Sequence, residues 1–148
     1  TDWSLGLLAG SATLVGNGLL PSVTLDEDGR ATPDLYAASR SAVFSHPPIA
    51  AVGLTEREAK DQGLLYRVKN QKASDWFTAR AAAEPTFGFK VLVEEGTERV
   101  LGAHLVGPNV DEVINIFALA IRHGLTADDL KTTMFAYPTG ASDVGYML

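Results

Sequence analysis

The 148-residue sequence predicts an α+β domain, an antiparallel sheet with helices packed on one face. Three observations lead there. FKVLVEEGTERVLGAHLVG, residues 89–107, places β-branched and apolar residues on either side of an acidic, glycine-bearing turn at Glu94–Glu98, the pattern of a β-hairpin. Just after it, a helical run between Asn109 and Gly124 is apolar from Val113 to Ile121 save for Asn115. A hydrophobic content of 46% with 20% charged residues suits a chain that buries a single core.

Residues 1–40 are rich in glycine, leucine and small side chains without sustained periodicity, and a domain boundary is placed near Arg40. The opening LGLLAGSATLVGNGLL is interrupted by glycines and polar residues and lacks a basic leader, so neither a membrane span nor a signal segment is expected. A chain beginning at Thr1 reads as a processed or excised piece, cytoplasmic by default.

Beyond the boundary, Ala42–Phe44 reads as a short extended piece, and Pro47–Pro48 interrupts pairing because neither residue has an N–H. Thr55 and Glu58 match a capping box, and a helix of about two turns follows, closed by Gly63. Strands are expected at Leu65–Asn70, Phe87–Glu94 and Arg99–Val106. Asn109 with Glu112 repeats the capping pattern, His123 lies in the last turn, and Gly124 ends the helix.

Within that helix, Val113–Ile121 has one polar residue, Asn115. Val113, Ile114, Phe117 and Ile121 suit a sheet-packing face, whereas Ile116, Leu119 and Ala120 need a second surface. Either residues 1–40 cover that side or a second copy of the chain does. Val113, Ile116, Phe117, Leu119 and Ala120 are the candidate interface residues. A last helix starts at Thr126, with Asp128 and Asp129 in its first turn, and runs to about Lys131. In the closing TTMFAYPTGASDVGYML, Pro138 biases Tyr137 away from helix and Gly140 permits a turn.

Several chemistries have little to stand on. A net charge of −6 argues against a nucleic-acid partner. With no cysteine and three well-separated histidines there is neither a metal set nor a redox-active thiol. His46 reads as structural, His104 as a sheet residue and His123 as a helix end. Gly16 and Gly18 lack the third glycine and preceding strand of a dinucleotide fingerprint. Trp76, Phe77 and Arg80 read as packing residues before a stacking site.

Two stretches carry a resemblance. VFSHPPIAAVGLTEREA, residues 43–59, and RVLGAHLVGPNVDEVINIFALAIRHGLTADDL, residues 99–130, resemble the C-terminal dimerisation domain of the pyridine nucleotide–disulfide oxidoreductases. FSHPPI in particular is similar to glutathione reductase. The resemblance implies the interface fold of an FAD-containing homodimer that passes a hydride from NAD(P)H through the flavin to a cysteine pair. Those cofactors belong to the parent enzyme, and this chain alone is expected to hold none and to be inactive. Residues 23–38 resemble the stretch before the family's last flavin contact, but Ser39-Arg40 replaces the expected Gly-Asp, so flavin binding is not carried over.

In the family the domain ends with His-Pro-Thr followed by a glutamate, and that histidine serves the partner subunit's cysteine pair. Tyr137-Pro138-Thr139 aligns here, so tyrosine stands at the histidine position. The glutamate position falls on Ser142, with Asp143 next to it. Tyr137, Ser142 and Asp143 are thus the candidate catalytic positions, with Pro138 and Thr139 the candidate contacts to the partner's flavin. Mercuric reductases also lack the histidine and offer a tyrosine, but they carry a C-terminal cysteine pair absent from this sequence, which argues against a mercury substrate. The alternative function is a free-standing binding or scaffold module with the same fold.

Overall fold

The computed structural model describes residues 41–148 and, as backbone only, four short strands before them: β1 (Leu5–Leu8) paired with β2 (Ser11–Leu14), and β3 (Thr24–Leu25) with β4 (Ala31–Thr32). The glycines Gly16 and Gly18 lie outside the described residues. From Ser41 onward the chain forms a five-stranded antiparallel sheet. Its strands are β5 (Ser41–Val43), β6 (Ile49–Gly53), β7 (Tyr66–Lys72), β8 (Gly88–Glu94) and β9 (Val100–Val106), in the order β5-β6-β9-β8-β7.

The hairpin β8–β9 forms as expected, and β9 is the central strand. β6 was not anticipated. Its IAAVG follows directly on Pro48, whose carbonyl accepts from the Gly107 N–H at 3.0 Å, so the prolines border a strand instead of preventing one. The helices are α1 (Glu56–Asp61), α2 (Phe77–Ala81), α3 (Val110–His123) and α4 (Ala127–Thr132), followed by a 3-10 helix at Gly140–Met147 where only a turn was foreseen. The five-residue α2 was also not foreseen.

Local signals set most helix ends. Thr55 and Glu58 form the expected capping box, as do Thr126 and Asp129. Asn109 corrects the third expectation: it stands at the N-cap of α3, but in left-handed backbone at φ 59° with no side-chain cap bond. Asparagine tolerates that conformation better than most residues. Gly124 ends α3 as read, and the Leu125 N–H reaches the Ala120 carbonyl at 2.9 Å.

Strand alternation sorts the core. Phe89, Val91 and Val93 point to one face of β8, where α2, α3, α4 and the terminal 3-10 helix bury Ala79, Phe117, Leu130 and Val144. Lys90 and Leu92 point to the other face. There α1 packs Ala59 in a small second cluster with Leu54, Leu92 and Leu101, so one helix departs from the expected one-sided layering. The bulge that pairs Leu92 with Gly102 and Val93 with Val100 inserts Leu101 and turns it toward that cluster.

Two paired glycines permit this doubling. A Cβ on Gly102 would lie 2.1 Å from the Leu54 carbonyl oxygen, and one on Gly53 would lie 2.3 Å from that of Leu101. Among the described residues, no helix is long and apolar enough to cross a membrane.

Candidate functional site

The α3 helix separates the five proposed interface residues into two groups. Phe117 and Ala120 are 0% exposed and Val113 is 5% exposed, all inside the chain's own core. Their spacing explains why. Val110, Val113, Ile114, Phe117, Ala120 and Ile121 recur every three or four residues and form one stripe against the sheet. Assigning Ala120 to a second surface was therefore an error of face, as was including Val113 and Phe117 among interface residues. Leu119 is 58% exposed and Ile116 partly exposed, so these two bring apolar surface to the outer side of the helix.

After α4 the chain turns outward. The Thr132 and Thr133 hydroxyls donate to the carbonyls of Asp128 and Asp129 at 2.8 and 2.7 Å, closing the helix. Met134 then stands 97% exposed and Tyr137 78% exposed, and the Tyr137–Pro138 peptide bond is cis. Together with Leu130, Phe135, Ser142 and Tyr146 they line an open groove of about 360 Å³.

Thr139 begins the 3-10 helix. Its N–H donates to the Ser142 Oγ at 3.2 Å, its Oγ1 accepts from the Ser142 N–H at 3.3 Å, and its hydroxyl donates to the Ala136 carbonyl at 2.6 Å. The Ser142 hydroxyl in turn donates to the Thr139 carbonyl at 2.6 Å. This is a capping box with serine at the position usually held by glutamate. Ser142 is thus engaged with backbone groups beside the turn.

Asp143 faces elsewhere. It accepts a 2.5 Å hydrogen bond from the Thr78 hydroxyl on α2, a partner 65 residues away in the sequence. Burial pushes its carboxyl above the ordinary range, and the Thr78 bond pulls in the opposite direction. Pro138 and Thr139 are exposed at the turn next to Tyr137.

Sequence reading missed the other half of this site, which comes from α2 and the 3-10 helix. The Phe77 ring lies 6.5 Å from that of Tyr137, and the Trp76 ring lies 6.1 Å from that of Tyr146. Only the adjacent aromatics Trp76 and Phe77 hinted at it, and nothing in their spacing assigned them a partner near the C-terminal end.

The histidines stand apart from this arrangement. His104 Nε2 lies 3.1 Å from the Leu54 carbonyl oxygen, His46 is exposed 3.9 Å from Glu84, and His123 ends α3. Among the described residues, no group of three or more His, Cys, Asp or Glu gathers as a metal set would.

Among the described residues, the turn into α3 is not a phosphate seat of the usual kind. The turn into α3, Gly107–Asn109, contains a proline without an N–H, and a Cβ on Gly107 would meet the Phe87 ring at 2.5 Å, so that glycine serves packing. The Tyr137-Pro138-Thr139 edge is exposed.

Comparisons with known proteins bear on the family and the fold. The sequence profile of the pyridine nucleotide-disulphide oxidoreductase dimerisation domain matches residues 39–147. An uncharacterized 19.7 kDa protein in the mercuric resistance operon of Staphylococcus aureus is 47% identical over 113 residues, covering 76% of this chain and 63% of that protein. Mitochondrial dihydrolipoyl dehydrogenase of Canis lupus familiaris is 34% identical over 111 residues, covering 75% of this chain and 22% of the enzyme. Among solved structures, the HOCl-induced flavoprotein disulfide reductase RclA from Escherichia coli superposes with a TM-score of 0.71 at 28% identity, over 83% of this chain and 28% of that one. The chain thus spans less than two thirds of each of these relatives. With the five-stranded antiparallel sheet and a profile match over most of its length, it belongs to the dimerisation-domain family of the pyridine nucleotide-disulphide oxidoreductases.

Proposed function

We propose that residues 41–148 are the interface domain of an FAD-dependent, NAD(P)H-using flavoprotein reductase in the cytoplasm, and that the domain pairs with a copy of itself. Residues 1–40 are then a separate N-terminal segment, read as a remnant of a preceding flavin domain. Alone the chain turns over no substrate. Within the family the FSHPPI stretch, residues 44–49, inclines the reading toward a glutathione reductase-like parent.

The reading is supported by the exposed Tyr137-Pro138-Thr139 turn, which the sequence resemblance sets at the position of the family's His-Pro-Thr. Tyr137 stands out from the fold, Pro138 and Thr139 lie beside it to meet the partner's flavin, and Ser142 is held by the Thr139 cap. A histidine, ordinarily titrating near about pH 6.5, both takes and gives a proton at neutrality; a phenol, ordinarily near about 10, donates well and accepts poorly. The parent enzyme therefore works without the usual His–Glu acid–base pair, and Tyr137 supplies a hydrogen bond to the partner's site. Asp143, bonded to Thr78, supports the turn instead of replacing the glutamate.

Two measurements test this. Sedimentation of the chain at micromolar concentration is expected to give a dimer, and a monomer throughout would count against the interface role. In the full reductase, Tyr137→Phe is expected to slow disulfide reduction; an unchanged rate removes the hydroxyl from the mechanism.

A second reading, a free-standing non-catalytic module, is favoured by one observation. The staphylococcal relative is described as a 19.7 kDa protein in a mercuric resistance operon. The chain has no cysteine, hence no thiolate for a soft metal ion, so under this reading too it acts through pairing and not as a mercury ligand. The size of the native polypeptide in its own cells separates the two readings: a full-length flavoprotein supports the first, a band near that of the short relative the second.

A further inference from the structure

Three consecutive residues at the start of α2, its N-cap Trp76 and then Phe77 and Thr78, each meet a different residue of the C-terminal segment. Trp76 lies against Tyr146, Phe77 against Tyr137, and Thr78 donates its hydroxyl to Asp143. The helix they come from has one turn and no side-chain cap, so it is too short to hold itself. The core holds it. The Trp76 ring contacts Phe87 at 5.7 Å and Phe89 at 5.5 Å, and Ala79 is fully buried in the main cluster.

The segment facing α2 is seated at Phe135, partly buried against the main cluster, and at Gly140, where a Cβ would lie 2.9 Å from the Val113 Cγ2, but Tyr137 between them is 78% exposed. Met134 and Tyr137 project outward, and the Thr139 hydroxyl binds only three residues back, to Ala136. Local bonds of that kind set the shape of the turn. They do not fix where the turn sits relative to the sheet.

We propose that Trp76, Phe77 and Thr78 form a clip that positions the Tyr137-Pro138-Thr139 turn, with Trp76 as the post fixed in the core and Phe77 and Thr78 as two grips on either side of the turn. The inference deepens the proposed function, since it names positioning residues for the same site. Phe77 sets the plane of the Tyr137 ring from one side, and Thr78 anchors the 3-10 helix through Asp143 on the other. The three side chains act through Tyr137, and none of them is assigned contact with substrate or flavin.

The test uses the 148-residue chain with Thr78→Val, Thr78→Ser and Phe77→Leu, read by amide hydrogen exchange and by the fluorine spectrum of a 3-fluorotyrosine placed at position 137. Thr78→Val keeps the shape and removes the donor. It is expected to speed exchange across residues 140–147 by about tenfold while β8 and β9 exchange as in the unaltered chain. Thr78→Ser restores slow exchange. Phe77→Leu shifts the fluorine resonance at position 137 without changing exchange in the sheet.

Unchanged exchange at 140–147 in Thr78→Val, or equal acceleration across the sheet and the segment, overturns the clip. So does a fluorine resonance indifferent to Phe77→Leu. Sedimentation of the same samples keeps the two ideas apart: a clip that responds as expected in a chain that stays monomeric leaves the inference standing and removes the dimer reading.

Discussion

The α3 helix and the C-terminal segment 133–148 are neighbours held by different means. α3 buries six side chains in one stripe, and Phe117 at its centre is wholly enclosed. The segment buries Val144, Met147 and Leu148 but leaves Met134, Tyr137 and Tyr146 largely exposed, and around Tyr137 it meets α2 through single contacts from Phe77 and Thr78. The helix rests on buried area, which many residues share. The turn rests on individual contacts, which one substitution can remove. A surface presented outward cannot also be buried in its own domain, so the turn is built in the second way.

Phe117→Ala gives the largest expected effect. Removing a fully enclosed aromatic ring costs about 3–5 kcal/mol, seen as a fall in the denaturant midpoint with little change in slope. A loss below about 1 kcal/mol would mean that α3 is not seated on the sheet as described.

Leu119→Glu tests the opposite side of the same helix. Leu119 is 58% exposed, so folding stability should stay within about 0.5 kcal/mol of the unaltered chain. Association should weaken about tenfold or more if this side chain lies in the contact between copies. Sedimentation measures the second quantity and denaturant unfolding the first, and a tight dimer in Leu119→Glu would move the interface elsewhere.

How legible each region was follows from the range of the forces that made it. The capping boxes at Thr55–Glu58 and Thr126–Asp129 join residues three apart, so both partners stand in view in the sequence. The ends of α3 were readable for the same reason, although Asn109 shows that a residue type fixes a position better than a bond. The buried stripe was written in the three-and-four spacing, and the error with Ala120 came from counting apolar residues around the helix instead of following that spacing.

In contrast, α2 has no cap and only five residues, and it exists because Trp76 finds Phe87 and Phe89. Thr78 and Asp143 are 65 residues apart, and no local pattern announces such a bond. Tyr137 and its turn were found through family resemblance, whereas the aromatic surroundings appeared only with the fold.

A smaller effect is expected where α2 ends. Ala83 adopts φ 52°, a left-handed conformation, and the Glu84 N–H reaches the Ala79 carbonyl at 3.0 Å. An alanine there costs about 1–2 kcal/mol of backbone strain, which glycine relieves while adding about 0.4–1 kcal/mol of unfolded-chain entropy. Ala83→Gly should thus stabilise the chain by up to about 1.5 kcal/mol in thermal unfolding. A destabilised variant would show that the α2 terminus is not left-handed in solution.

The smallest effects come from two aspartates that depend on pH in opposite senses. Asp129, exposed in the α4 capping box, is held below the ordinary carboxylate range by hydrogen bonds from the Thr126 hydroxyl and backbone N–H. Its folded form binds protons less readily than its unfolded form, so its contribution is present above the unfolded value and is lost as pH falls through the folded one. Asp143 is raised by burial, so its folded form binds protons more readily, and stability is lost as pH climbs from the ordinary carboxylate value through the raised one. The two windows lie on either side of the ordinary value and do not overlap. In a series of denaturant midpoints against pH, Asp129→Asn should flatten the slope below that value and Asp143→Asn the slope above it. If Asp143→Asn leaves the upper slope unchanged, burial does not hold the Asp143 carboxyl above the ordinary value.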